Sequence, residues 1–519
     1  MLEAIKNRWV LLLVLVVFIV AKIPALHYPF YWDESWSYAP AVKLMYLHGP
    51  SLMPNAIDLG YSRGHPLLFY ASAAAWMKVF GDSHVAQHSF SLFIFSLLLV
   101  SVYEVCLKLF SKRMAILSLL LVATQVIFFV QSTLLLPEIM VGWLCLLTLY
   151  FYSTHKYLFT FLSCTALMLT KESGFTLGLV LGLHATWYLC KKGISTKERL
   201  LNILPLIGAA LITGLFFIVQ KKLNGWYLFP EHTGLIDPSW QMFRGKLRYC
   251  LEIIFTHQYR YFLFLLLITL SIATAINKRN IRYAYPALLA VILYILAGNE
   301  YGYLTRRVLY PVGFMVLLFT FHTLLNLNRN DNKSRTFIYL TVFFLGTYLS
   351  FTSLNFFTNR YLISSLVAIL LLSAYCFDLF LARFKPPLFY ALITCLFVVA
   401  GFAFRNNCGT GDVDLGIYNA MQVQEDVVTY LEQQQLYDSP VAASSSLQRE
   451  HLTKPFTGFL HSNRIFTNVT YEIQPHTEYV VTDNIEPDTT MDKAKLAVGY
   501  KEVYRIRKGQ AQAEVYKKK

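Results

Sequence analysis

Apolar runs of about 17 to 25 residues follow one another from residue 9 to residue 404 of this 519-residue chain, and that recurrence constrains the fold most. An α-helix rises about 1.5 Å per residue, so each run matches the roughly 30 Å hydrocarbon core of a bilayer. Inside a bilayer the backbone polar groups must be satisfied within the protein, as a helix does. Outer-membrane barrels instead show alternating strands of about ten residues, a period absent here. A polytopic α-helical membrane protein is expected, and a hydrophobic content of 56% agrees with it.

Spans are expected near 9–25, 87–110, 114–131, 136–153, 157–170, 174–190, 201–220, 260–276, 283–298, 308–325, 336–353, 361–382 and 387–404, about thirteen in a domain covering 1–404. The net charge of +15 does not imply a nucleic-acid partner. Its Lys and Arg fall mainly in short loops, where they act as topology signals. With Lys6 and Arg8 cytoplasmic, the alternate loops are basic too: Lys112 and Arg113, Lys156, Lys191 to Arg199, Lys278 to Arg282, Arg329 to Arg335, and Arg383 with Lys385. The C-terminal region then lies outside. The first run lacks a small-residue cleavage site and is expected to be retained. The eight cysteines are scattered singly, so neither a disulfide framework nor a zinc spacing emerges.

The run 65–80 is apolar but short, and counting it as a span breaks the charge alternation. It is expected to be an interfacial or re-entrant helix within a first external loop, 26–86. From 405 the chain turns polar. Residues 417–433 carry apolar positions at helical spacing, and β-like runs follow at 440–443, 479–482, 503–506 and 513–516, so 405–519 is expected to be a small extracytoplasmic α/β domain. Asn468-Val469-Thr470 is a glycosylation sequon of low specificity.

Ionisable groups beside a bilayer are costly and usually line a cavity or pair with one another. On the outer face they are Asp33 and Glu34, Asp58, Arg63 and His65 in the first loop, and Glu138 after Pro137. Lys171 and Glu172 follow in the third outer turn, then Arg306 and Arg307 before Tyr310, and Arg360 before Tyr361. Each has an architectural explanation as well. Asp33, Glu34 and Glu138 suit helix starts, Lys171-Glu172 suits an interfacial ion pair, and the arginines suit snorkelling anchors. Taken together, a carboxylate that accepts a proton from a nucleophile, ringed by cations that hold a phosphate, suits group transfer from a phosphate-linked donor. No Gly-rich nucleotide fingerprint or P-loop is present. No metal-ligand spacing joins Asp33, Glu34, His65 and Glu138, so no cofactor is expected.

The ordered set Trp32-Asp33-Glu34, Gly64-His65-Pro66-Leu67-Leu68-Phe69-Tyr70 and Phe80-Gly81-Asp82-Ser83, with Pro137-Glu138 and Thr170-Lys171-Glu172-Ser173-Gly174 after it, resembles the GT-C glycosyltransferases. Its likeness is to the polyprenyl-phosphate-sugar-dependent group that includes protein O-mannosyltransferases and the lipid A aminoarabinose transferase. The resemblance implies Asp33 as the base that deprotonates the acceptor, with Glu34 positioning it or sharing the role. It implies Glu138 as a second functional acid, where relatives usually have Asp. His65 stands where relatives carry Lys or His before two prolines; this chain has one proline. Inversion at the sugar carbon is also implied, with a lipid, glycan or protein acceptor outside; a bacterial inner-membrane location is expected, and the endoplasmic reticulum, which obeys the same loop-charge rule, is the alternative. A transporter or flippase of lipid-linked sugars, and a scaffold for envelope polysaccharide assembly, are the alternatives. A transporter places its charges near the bilayer midplane, often in repeated halves.

Overall fold

The computed structural model describes residues 2–277, 279, 331–355, 358–380, 386–404, 409–443, 445–462, 464–486, 496 and 498–519. The expected spans 283–298 and 308–325, and the site candidates Arg306, Arg307 and Tyr310, lie outside the described residues.

The first part of the chain is helical: α1 (Leu2–Lys22), α2 (Ala39–His48), α3 (Leu59–Ser62), α4 (Leu68–Phe80), α5 (His84–Leu109), α6 (Lys112–Ala123), α7 (Val126–Gln131), α8 (Glu138–Ser153), α9 (Tyr157–Thr170), α10 (Phe175–Cys190), α11 (Thr196–Asn224), α12 (Pro230–Gly234), α13 (Trp240–Thr256) and α14 (Tyr261–Asn277). After the undescribed stretch come α15 (Asn332–Leu354), α16 (Ile363–Phe380) and α17 (Pro386–Phe404). Among the described residues, five helical stretches are long and apolar enough to cross a bilayer: Arg8–His27, His84–Leu109, Thr196–Asn224, Asn332–Leu354 and Asn359–Leu379.

Local chemistry sets the boundaries. Ser83, Ser111 and Ser195 accept from the backbone of Ala86, Met114 and Glu198 and so start α5, α6 and α11. The stretch 114–131 is not one helix. It breaks into α6 and α7, because Gln125 is extended (φ −76°, ψ 132°) and Thr124 Oγ1 donates back to Leu120 O at 2.7 Å. Helix α4 has 13 residues, about 20 Å at 1.5 Å each, and buries Phe69, Tyr70, Ala73, Ala74 and Met77. It is too short to span.

The C-terminal unit begins with α18 (Gly416–Gln433), followed by β1 (Val441–Ala443), α19 (Ser446–Thr453), β2 (Val469–Thr470), β3 (Tyr479–Asp483), β4 (Tyr500–Lys508) and β5 (Ala511–Lys518). The sheet order is β2-β1-β3-β5-β4, with β1 parallel to β2 and β3, and β5 antiparallel to β3 and β4. Helix α18 lays its apolar face on the β4–β5 hairpin, where Tyr430 stacks on Tyr504 at 4.3 Å.

This unit docks on the first loop. Phe30 N donates to Thr457 O at 2.8 Å, and His84 Nε2 lies 3.1 Å from Phe456 O. Buried Lys22, at the end of α1, donates to Tyr418 Oη at 2.6 Å. The loop carrying Asp33 is thus held between the helices and the C-terminal unit.

Candidate functional site

The chain enters the site through strain. Trp32 holds φ +51°, a left-handed conformation that costs a bulky residue about 1–2 kcal/mol. Its indole Nε1 lies 3.5 Å from Thr410 O. The next residues form a single π-helical turn, Glu34–Tyr38, a rare form met often at functional sites. That turn sends the two neighbouring acids in opposite directions.

Glu34 goes inward. It is fully buried, accepts from Leu135 N at 2.5 Å and from Tyr31 N at 3.4 Å, and lies 3.3 Å from His88 Nε2. The sequence reading placed it beside Asp33 in the chemistry. In the structure its carboxylate ties the first loop to the residues leading into α8.

Asp33 stays on the open side, with a quarter of its side chain exposed, and pairs with Arg360. Arg360 is brought there by the short turn Asn359–Leu362 that leads into α16. Its guanidinium also pairs with Asp412, and its Nε lies 3.4 Å from Glu138 Oε1. Glu138 occupies the first turn of α8, where the helix dipole favours an anion. It accepts from Lys171 Nζ at 2.7 Å. Lys171 in turn lies 4.1 Å over the Tyr361 ring, and Arg360 faces the same ring at 5.5 Å. Five charged groups from five distant segments, with Tyr361 beneath them, form one network. Its formal sum, two cations and three carboxylates, is −1.

Lys171 and Glu172 do not pair with each other. Lys171 is extended (φ −162°, ψ 148°) and reaches Glu138, while Glu172 Oε2 lies 2.8 Å from His65 Nδ1. Burial opposes the charge on Lys171, yet the Glu138 carboxylate outweighs it and raises the ammonium pKa. Burial likewise opposes the charge on Glu172, and the His65 ring holds its carboxyl below the usual value. The next glycine, Gly174, is required by packing. A Cβ there would stand 2.7 Å from Leu167 O.

His65 and Arg63 form the second, more open end. Arg63 closes α3 at φ +48°, stacks 5.2 Å from Trp36, and reaches exposed Glu231 at 3.2 Å. The His65 ring lies 4.9 Å from that of His232, whose pKa burial and His65 lower to about 4. Between these two ends, the Tyr70 hydroxyl is buried without a hydrogen-bond partner. It feels the charges of Glu172, Glu138, Asp33 and Arg63 together.

Sequence reasoning missed Asp412 and Tyr70. Asp412 belongs to a short strap, residues 409–415, that runs into the mouth of the helical domain. Gln131 Nε2 donates to Asp412 O at 2.6 Å, and Gln258 Nε2 donates to Val413 O at 3.0 Å and to Asp414 Oδ1 at 3.2 Å. Burial pushes the Asp412 carboxyl above its ordinary value, against the pull of Arg360, and brings Asp414 up to about 6. The available signal was the Asp-Val-Asp just past the last apolar run. Among the described residues, no three or more His, Cys, Asp or Glu side chains converge as metal ligands would.

The helical domain with its small α/β unit has the GT-C fold, by its likeness to solved structures. Along nearly its whole length it is similar to ArnT from Cupriavidus metallidurans bound to undecaprenyl phosphate, with a TM-score of 0.50, 11% identity, and coverage of 99% of this chain and 98% of that one. The apo form of the same protein gives a TM-score of 0.42 at 13% identity, covering 96% and 97%. The archaeal oligosaccharyltransferase AglB from Archaeoglobus fulgidus, in complex with an inhibitory peptide and a dolichol-phosphate, gives 0.44 at 14% identity, covering 92% and 70%. No protein-family model and no curated sequence matches the chain.

Proposed function

We propose that this chain is an inverting integral-membrane glycosyltransferase that moves a sugar from a polyprenyl-phosphate donor to an extracytoplasmic acceptor. The carrying observation is a contrast in exposure: Asp33 keeps a quarter of its side chain open while Arg360 fixes it, whereas its neighbour Glu34 and its network partner Glu138 are sealed. A base must be reached by its substrate, and of the three carboxylates around Arg360, Asp33 is the most open, at 25% against 14% for Asp412 and 4% for Glu138.

In this reading an acceptor hydroxyl or amine gives its proton to Asp33 as its oxygen or nitrogen attacks the sugar's anomeric carbon. The bond from that carbon to the phosphate oxygen breaks, and the lipid phosphate leaves with the electron pair. Arg63 and His65, at the open end, take the phosphate charge. Arg360 orients Asp33, and Glu34 braces the loop behind it. Undecaprenyl phosphate, the ligand named for the similar ArnT structure, is the chemical class of donor carrier expected. The acceptor in this reading is a lipid, glycan or protein on the outer side. About thirteen spans, a cytoplasmic N-terminus, a bacterial inner-membrane location and an extracytoplasmic unit from 405 to 519 complete the reading.

The test is transfer by the purified chain in liposomes carrying polyprenyl-phosphate sugars, with Asp33→Asn as the comparison. Full activity of a folded Asp33→Asn variant would defeat the assignment. Mass spectrometry of envelope lipids and glycans, with and without the gene, identifies the sugar by its mass.

A further inference from the structure

Helix α13 carries an apolar stripe that outruns the protein. Trp240, Phe243, Leu247, Leu251 and Ile254 follow at spacings of three and four, so they share one face. At the C-terminal end Ile254 is fully buried, and Cys250 Sγ lies 3.8 Å from Ser353 Oγ where α13 packs on α15. Phe243, Leu247 and Leu251 are half-buried, and Trp240, stacked on Phe243 at 5.7 Å, is 71% exposed. The segment leading into the helix leaves Leu235 and Ile236 exposed as well.

The direction of α13 is fixed by its corner. Gln258 (φ +54°) and Tyr259 (φ +61°) turn the chain so that Trp240–Tyr259 meets Tyr261–Asn277 at 85°. Arg260, 1% exposed, locks the turn. It donates to Ile254 O at 2.9 Å, Ile253 O at 2.5 Å and Gln258 Oε1 at 2.9 Å, which satisfies carbonyls at the end of α13. Helix α14 is apolar over its 17 residues, and the same loop starts from α11, which is long enough and apolar enough to span. With α14 read as crossing the bilayer, a helix at 85° to it runs close to the membrane plane.

We propose that α13, with Leu235 and Ile236 before it, is a membrane-interface anchor whose occupant is the bilayer itself. Its uncovered N-terminal part, led by Trp240, sits at the headgroup–acyl boundary, and Arg244 reaches lipid phosphates beside it, while Lys246 donates to Asn355 O at 2.8 Å and ties the helix to the protein. Indole is favoured at that depth, and long cations favour headgroups. Two apolar tethers and an apolar face with a basic flank match a lipid surface better than a second protein. The anchor also bears on the first loop. Just upstream, Trp226 and Phe229 pack on Gly64, and His232 lies on His65, so a fixed α13 holds this cover over Arg63 and His65. The inference goes beyond sugar transfer and stands without it.

The test uses the purified full chain in nanodiscs made with phosphatidylcholine brominated at shallow or deep acyl positions. Subtracting the fluorescence of Trp240→Phe from that of the wild type isolates the Trp240 signal. That signal should lose most of its intensity with shallow bromines, less with deep ones, and little to aqueous acrylamide. Quenching by acrylamide with none by bromolipid would place Trp240 in water and overturn the proposal. Protection from both quenchers would place it against protein, such as a second copy of the chain, and overturn it equally.

Discussion

Arg360 and Asp412 lie 52 residues apart in the chain and form an ion pair, which joins the start of α16 to the strap ahead of the C-terminal unit. The same guanidinium holds Asp33 and approaches Glu138, so one cation orders three carboxylates from three segments. Removing one partner of a buried pair costs about 3–5 kcal/mol, because the others keep their desolvation cost without compensation. Arg360→Met should lower the melting temperature in detergent by several degrees and abolish transfer. Arg360→Lys should recover little, since an ammonium is one point charge and cannot fork between Asp33 and Asp412. Lysine restoring both stability and activity would show that the fork is unimportant.

The adjacent acids should separate in their phenotypes. Asp33→Asn keeps the shape of a partly open side chain, and Asp412 and Glu138 still face Arg360, so the melting temperature should stay near wild type. Loss of a general base should reduce kcat about 10²- to 10⁴-fold. Glu34→Gln removes a charge-assisted bond to Leu135 N, worth about 1.5–3 kcal/mol, so it should destabilise the fold, with activity falling in step with the folded fraction. Equal loss of kcat in two equally stable variants would contradict the division of roles.

That division also marks what was legible in the sequence. Helices at 84–109, 196–224 and 332–354 follow from the bilayer, which imposes a length and an apolar surface on any span. The break between α6 and α7 does not, because Gln125 is held by a tertiary partner, with Arg260 Nη1 at 3.4 Å from its Oε1. Asp33, Glu138, Lys171 and Arg360 stood out because charge is rare beside apolar runs, and the fold brings these four together. Asp412 reads as ordinary linker until the strap is seen to enter the site. Adjacency in sequence suggested one job for Asp33 and Glu34. The π-helical turn sends them apart, and nothing local announces it.

Stability should change with pH through Asp414. Its carboxyl is raised from 3.8 to about 6, with burial the main cause. The folded state therefore keeps a proton that the unfolded chain has already released. This contribution is fully present below about pH 3.8 and is lost as pH rises to about 6, with an upper bound near 3 kcal/mol. Asp414→Asn keeps an acceptor for Gln258 and removes the titration. Melting curves should show the variant gaining on the wild type between pH 4 and 6. A constant difference across that window would show that Asp414 does not titrate there.

Gly64 should be intolerant of a side chain. It holds φ +69°, and a Cβ would stand 2.7 Å from the Trp226 ring. Gly64→Ala should cost about 1–3 kcal/mol in backbone strain and push Trp226 off the loop. Faster proteolysis between α11 and α13 and a higher KM for the donor should accompany it. An alanine variant with unchanged KM and proteolysis would mean that Trp226 does not cover the site.

Of the two candidate arginines among the described residues, Arg63 and Arg360, the phosphate ligand is the one that can let go of its present partners. Arg360 is buried and shared among three carboxylates, and freeing it strands their charges. Arg63 is held by Glu231, itself 67% exposed, and exposed pairs contribute about 0–1 kcal/mol. A phosphate therefore displaces Glu231 at little cost and meets His65 two residues along. Charge-assisted hydrogen bonds are worth about 1.5–3 kcal/mol, so Arg63→Ala should raise the donor KM about tenfold to a hundredfold with a smaller change in kcat. Arg63→Lys should recover part of that loss, since it restores charge without the fork. Glu231→Gln should move the other way and lower the donor KM, because it removes the competitor. Steady-state kinetics against donor concentration reads all three, and an unchanged KM in Arg63→Ala would return the phosphate to the buried end.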